Sequence, residues 1–157
     1  MSDARPVDKI LVSACLYGYA TRYDGKNNAI IDKSFFNWKN RGMLVPVCPE
    51  ELGGLKTPRC PAEICGEKVM TKDGEDVTEA FKKGADEVLK IVKEKGIRIA
   101  IMKDGSPSCG CKHIYDGSFS GKKKNGEGIC ARLLLESGVV VLSENDIDVA
   151  KVFLKEK

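Results

Sequence analysis

The chain has 157 residues, enough for one domain with a real hydrophobic core and no need of disulfide staples. Its 42% hydrophobic and 31% charged residues are ordinary globular values, and a formal net charge of +3 without a basic, aromatic-studded face argues against nucleic-acid binding. No stretch approaches the roughly 18 apolar residues of a membrane span, and the first residues lack a signal-peptide pattern, so a cytoplasmic protein is expected. In a reducing compartment seven cysteines, an odd number, point to metal binding, catalysis or plain burial rather than to a disulfide framework.

In chain order, the apolar run 9–14 ends at Cys15 and predicts a first strand, followed by a long polar and aromatic loop over 17–25. Residues 32–39, with Phe35, Phe36 and Trp38, predict a short helix. The run 43–47 predicts a second strand that ends at Cys48, and its internal Pro46 argues for an edge position. Residues 52–74 hold too many glycines and prolines for a regular element, although 67–71 could form a short strand. From 75 to 95, Val77, Phe81, Ala85, Val88 and Val92 recur at spacings of three and four, an amphipathic helix stopped by Gly96. A buried strand follows at 97–102, then a helix over 127–137 stopped by Gly138, and a strand over 139–142. Ser143 to Asp146 fits a capping box that opens a last helix through Val149, Val152 and Phe153. Lys122, Lys123 and Lys124 read as a solvated loop. Strands alternating with helices predict one α/β domain over 1–157, a small three-layer, Rossmann-like fold with a mostly parallel sheet of about four to five strands.

The loop 103–111, Lys-Asp-Gly-Ser-Pro-Ser-Cys-Gly-Cys, follows the strand at 97–102 and gathers thiols, hydroxyls and glycine where open α/β folds place their ligand chemistry. Cys15, Cys48 and Cys109 share one trait: each lies past the carboxyl end of a predicted strand, so three thiolates could converge on one sheet edge. Such a trio suits zinc or an iron–sulfur cluster. The plain alternative is three buried cysteines serving as small apolar residues. Glu50, two residues past Cys48, and Ser106, three before Cys109, would stand beside any centre held there as carboxylate and hydroxyl. Glu51 is as close in sequence, and Ser106 could simply open a turn. The triplet Tyr-Asp-Gly occurs twice, at Tyr23-Asp24-Gly25 and Tyr115-Asp116-Gly117, either as two similar turns or as two loops lining one pocket. Cys130 sits in a helical pattern and reads as core, Cys60 and Cys65 lack the partners of a tetrahedral site, Cys111 is a spare ligand or redox partner, and the single histidine, His113, reads as a surface residue or one supporting the site from outside.

Six motifs in order resemble those of the thiouracil desulfurase (TudS-type) family, formerly a domain of unknown function: Ser13-Ala14-Cys15-Leu16, Arg22-Tyr23-Asp24-Gly25, Pro46-Val47-Cys48-Pro49-Glu50, Gly53-Gly54-Leu55 with Thr57-Pro58-Arg59, Ser106-Pro107-Ser108-Cys109-Gly110, and Ile114 to Gly121. The resemblance runs from about Ile10 to Ser143. It implies a [4Fe-4S] cluster with Cys15, Cys48 and Cys109 as ligands and one iron not bound by protein. It also implies non-redox desulfuration of thiolated nucleobases or nucleosides such as 2-thiouracil, C=S becoming C=O with sulfide leaving through the open iron. Glu50 and Ser106 fall at the family's catalytic carboxylate and hydroxyl. Ser13, Arg22, Asp24, Tyr115 and Asp116 are the expected substrate contacts. An exposed iron makes loss of the cluster in air an expectation. Thr21 stands where relatives often carry a cysteine, which leaves the ligand trio intact but touches the pocket. Two rival readings remain at this level: a non-enzymatic module holding zinc or a cluster, and a thiol–disulfide protein built on Cys109 and Cys111.

Overall fold

A computed structural model describes residues 8–154. In chain order its elements are β1 (Ile10–Ser13), α1 (Ala14–Tyr17), α2 (Lys33–Asn40), β2 (Leu44–Val47), α3 (Pro49–Leu52), β3 (Ala62–Cys65), β4 (Lys68–Thr71), α4 (Thr78–Lys95), β5 (Ile99–Met102), β6 (His113–Tyr115), β7 (Lys123–Asn125), α5 (Ile129–Glu136), β8 (Val140–Ser143) and α6 (Ile147–Phe153). The four apolar runs read from the sequence become one parallel sheet of order β2-β1-β5-β8, with Ile10 opposite both Leu44 and Ile99, and Ile99 opposite Val140. β2 is an outer strand, as Pro46 requires.

Both faces of the sheet are covered, which is why its strands are apolar runs rather than alternating ones. Leu11, Ala100 and Met102 point to one face and pack on Ala85, Val88 and Val92 of α4 and Leu134 of α5. Ile10, Val12, Ile99 and Ile101 point to the other and meet Phe35 and Trp38 of α2 with Ile147 and Ala150 of α6. Cys130 is fully buried in the first cluster, and burial pushes its thiol up to about 12.

Local signals explain most boundaries. Asp32 caps α2, its carboxylate accepting from the Phe35 amide at 3.0 Å. α4 begins three residues later than the apolar spacing predicts, because the Val77 amide is held by Val69 on β4 at 2.9 Å. It ends at Gly96 in the left-handed conformation, φ 62°. The Ser143–Asp146 pairing forms, but it closes a turn rather than a helix. Asp146 accepts from the Ser143 amide at 2.9 Å while Ser143 Oγ accepts from Asn145, and α6 starts after Asp146.

Other expectations are corrected. A one-turn helix, α1, follows β1 directly, where the sequence reads as loop. The stretch 52–74 contains an antiparallel hairpin of β3 and β4, of which only β4 was foreseen. The lysine run is a strand, β7, paired with β6 rather than a loop.

One close approach positions the site. α3 crosses α4 through Gly53 and Gly84; a Cβ on Gly84 would lie 1.8 Å from the Pro49 carbonyl oxygen, and one on Gly53 1.9 Å from that of Ala80. Both obstacles are backbone and cannot rotate away. In Gly84→Ala the better helix propensity of alanine, about 1 kcal/mol, is outweighed by an overpacking cost of about 1–3 kcal/mol or more. A thermal melt of this variant is expected to drop by several degrees, with α3 and its flanking Cys48 and Glu50 displaced.

Candidate active site

The chain passes from β1 to β2 on one side and returns to β5 on the other, so a crevice opens at the carboxyl ends of β1 and β5, the place where such sheets bind ligands. A cavity of about 400 Å³ lies there, a volume suited to a small molecule. Ser13, Cys15, Cys48, Glu50, Ser106 and Cys109 line it from below, and Glu63, Tyr115 and Lys123 close it from the two hairpins.

The topology delivers the three thiols separately. Cys15 sits in the first turn of α1, Cys48 is the residue between β2 and α3, and Cys109 comes from the loop after β5. Burial pushes all three thiols up from their ordinary value. An Asn28 side-chain hydrogen bond offsets this at Cys15, and the Glu51 backbone N–H does so at Cys48. Cys109 is pushed furthest, by burial and then by the neighbouring Cys130 and Cys15 sulfurs, with the Ser13 and Ser108 hydroxyls pulling the other way. Such sulfurs stay protonated until a cation takes the proton's place, so metal loading releases protons.

The Cys109 loop is fastened at its backbone. Ser106 Oγ accepts from the amides of Ser108 at 3.1 Å and Cys109 at 3.0 Å. The free amides of the first turn of α5 turn to the loop's carbonyls: Ile129 to Pro107 at 2.9 Å, Cys130 and Ala131 to Ser108 at 2.9 and 3.0 Å. Gly128, just before α5, leaves the room this needs, since a Cβ there would lie 2.6 Å from the Ser108 carbonyl carbon.

Glu50, in the first turn of α3, is held by both oxygens. Arg59 Nε donates to Oε1 at 3.0 Å and Ser108 Oγ to Oε2 at 3.1 Å. The Arg59 and Glu50 side chains are only 10% and 15% exposed, so solvent screens their pairing little. Arg59 also donates to the Thr21 carbonyl at 2.9 Å and to Thr57 Oγ1 at 2.6 Å, which ties α3 to the loop after α1.

Of the residues singled out from sequence, the structure brings Cys15, Cys48, Cys109, Glu50, Ser106, Ser13, Arg22 and Tyr115 to the cavity. Asp24 and Asp116 do not line it. Asp24 instead pairs with Arg22 at 2.8 Å, and Asp116 is taken up by the Ser118 amide and hydroxyl on an exposed turn. Ser13 Oγ accepts the Lys103 amide at 2.9 Å, a clamp between β1 and the loop after β5. His113 does not line the cavity but pairs at 2.9 Å with Asp104, which does. Cys60, Cys65 and Cys111 are not among its walls, and burial raises the Cys111 thiol to about 11, the reverse of what a reactive redox thiol needs.

Sequence reasoning missed Ser108 and Arg59. It is Ser108, not Ser106, that touches Glu50, and two serines either side of a proline offer no signal to choose between them. Arg59 lay within a recognised motif, but nine residues of breaker-rich chain hid its pairing with Glu50.

The soft, all-sulfur donor set at a small-molecule cavity fits an iron–sulfur cluster or a thiophilic metal. Among the described residues no three His, Cys, Asp or Glu side chains gather tightly enough for a single metal ion.

A thiol-walled cavity with an anchored carboxylate, set at the switch point of a parallel sheet, is the layout of an α/β enzyme. The 2-thiouracil desulfurase family model matches residues 10–146, and the chain belongs to that family. It is similar to the uncharacterized protein YbbK of Bacillus subtilis (strain 168), 43% identical over 149 residues that cover 88% of this chain and 97% of the relative. It is also similar to the solved structure of a [4Fe-4S]-dependent thiouracil desulfidase, TudS. The two are 43% identical with a TM-score of 0.93, covering 94% of this chain and 98% of that one. Among the described residues no helix is long and apolar enough to cross a membrane.

Proposed function

We propose that this protein removes sulfur from a small thiolated nucleobase or nucleoside of the 2-thiouracil kind by a non-redox hydrolysis, C=S plus water giving C=O plus hydrogen sulfide. The observation that carries this reading is that Cys15, Cys48, Cys109 and Glu50 wall one cavity of nucleobase size. Family membership and the likeness to a [4Fe-4S]-dependent thiouracil desulfidase support it.

Cys15, Cys48 and Cys109 are the residues to hold a [4Fe-4S] cluster, which when bound supplies a soft Lewis-acid iron without a protein ligand for the thiocarbonyl sulfur. The remaining work falls to side chains of this chain. Glu50 takes a proton from the water whose oxygen bonds to the ring carbon; the carbon–sulfur bond breaks and the proton leaves with the sulfide. Arg59 holds the carboxylate at one oxygen. Ser106, on the cavity wall, serves through the loop, accepting the Ser108 and Cys109 amides and so holding Cys109 beside Glu50. Arg22, oriented by Asp24, and Tyr115 from β6 are placed to contact the base, and Ser13 keeps the β1 and β5 ends together beneath it. Asp116 shapes the loop after β6 rather than touching substrate.

The test is anaerobic reconstitution with iron and sulfide, followed by sulfide release from a panel of thiolated bases and nucleosides. Release without added reductant, with the product's new oxygen drawn from isotope-labelled water, is the expected result. A fully reconstituted protein that releases sulfide from no member of the panel overturns the reading.

A further inference from the structure

We infer that Ser108 is a positioning residue for Glu50, the last hydroxyl of a one-way chain of hydrogen bonds, Ser106 to Ser108 to Glu50, that fixes the carboxylate for its work on water. The inference rests on the reading of Glu50 as the base. Its warrant is a count of hydrogens.

Ser106 Oγ accepts two backbone amides, those of Ser108 and Cys109. A hydroxyl oxygen has two acceptor sites, so Ser106 has none left, and its own hydrogen must be given away. Ser108 Oγ stands 3.0 Å off to receive it. Ser108 then has one hydrogen of its own and two acceptors in reach, Glu50 Oε2 at 3.1 Å and Cys109 Sγ at 3.6 Å. The carboxylate oxygen is nearer and is the stronger acceptor. Every hydrogen in the chain therefore points toward Glu50.

The mechanical result is a two-point hold. Arg59 fixes Oε1 and Ser108 fixes Oε2, which together set the plane of the carboxylate. With Ser108 removed, the group can turn about its contact with Arg59. Ser108 borders the cavity but is only 1% exposed, and its hydroxyl is engaged by Ser106 and Glu50, so it acts through Glu50.

Outer partners that orient a working group are worth about 10–100-fold, and the loss falls on kcat alone when substrate binding is untouched. In the reconstituted enzyme, Ser108→Ala is expected to lower kcat by about 10–100-fold while KM, visible absorption and cluster reduction potential stay as in the wild type. In a Glu50→Gln background the same change is expected to add nothing. Ser108→Thr, which keeps the hydroxyl, is expected to retain most of kcat, and it decides the matter if the alanine variant fails to load. Three results overturn the inference: wild-type kcat in Ser108→Ala, a lowered reduction potential that assigns the hydroxyl to the Cys109 sulfur, or an additive loss in the double variant. Loss of kcat in Ser108→Thr does so as well. Failure of the base reading is seen separately, as full activity in Glu50→Gln alone.

Discussion

Cys15→Ala protein, reconstituted anaerobically, is expected to lack the broad visible absorption of an iron–sulfur cluster and to release no sulfide from any thiolated base. The backbone at this position is set by β1, by the first turn of α1 and by the Asn28 amide on the Cys15 carbonyl at 2.9 Å, none of which uses the thiol. Alanine suits a helical turn, so the apo fold should melt close to the wild type. What disappears is one of three donors, and two thiolates from separate loops do not hold the cluster. Cys130→Ala is the control. Its thiol is core rather than cavity, so it is expected to keep colour and activity at a stability cost of about 1–2 kcal/mol. A Cys15→Ala protein with full-strength absorption would remove Cys15 from the ligand set.

Glu50→Gln is expected to keep the cluster and lose about 10²–10⁴-fold in kcat, the usual worth of a general base. The amide has the size of the carboxylate and can still accept from Arg59 Nε, so α3 and the Cys48 next to it stay in place. It cannot take a proton from water. Glu51→Gln separates this from a general effect of charge. The Glu51 side chain is turned toward Thr57 and away from the cavity walls, and its replacement should leave turnover nearly intact. Equal activity in Glu50→Gln would leave the proposed mechanism without its base.

What the sequence made legible was carried by long-range order in the chain. Runs such as Ile99–Met102 and the three- and four-residue spacing along α4 announce themselves because burial on two faces, or on one stripe, leaves a pattern. The positions of Cys15, Cys48 and Cys109 followed from those runs alone. The hairpins did not, since β3 is four half-buried residues behind a proline and β7 is three exposed polar residues, each too short to carry a pattern. α3 is one turn, too short for any period. The Gly84 crossing was invisible because a glycine in a helix looks like a local flaw until the carbonyl facing it is known. Ser108 and Arg59 were hidden for a related reason: hydrogen bonds to Glu50 across 58 and nine residues leave no trace in composition or spacing.

The distribution of the three thiols also sets the order of events in the life of the chain. In compact metal motifs the ligands are sequence neighbours, and the metal can drive folding of a short peptide. Here the three thiols of the proposed ligand set come from beyond the ends of β1, β2 and β5, and the Cys109 loop is held in place by the first turn of α5. The thiols therefore come together only once the nonlocal strand pairings, the slow part of such folds, are complete. With the proposed ligands, cluster insertion is expected to be a late event that reports a finished sheet. Once made, the link is expected to work in reverse: a cluster held by these thiols would tie the ends of three strands together and oppose their separate opening in proportion to its binding free energy.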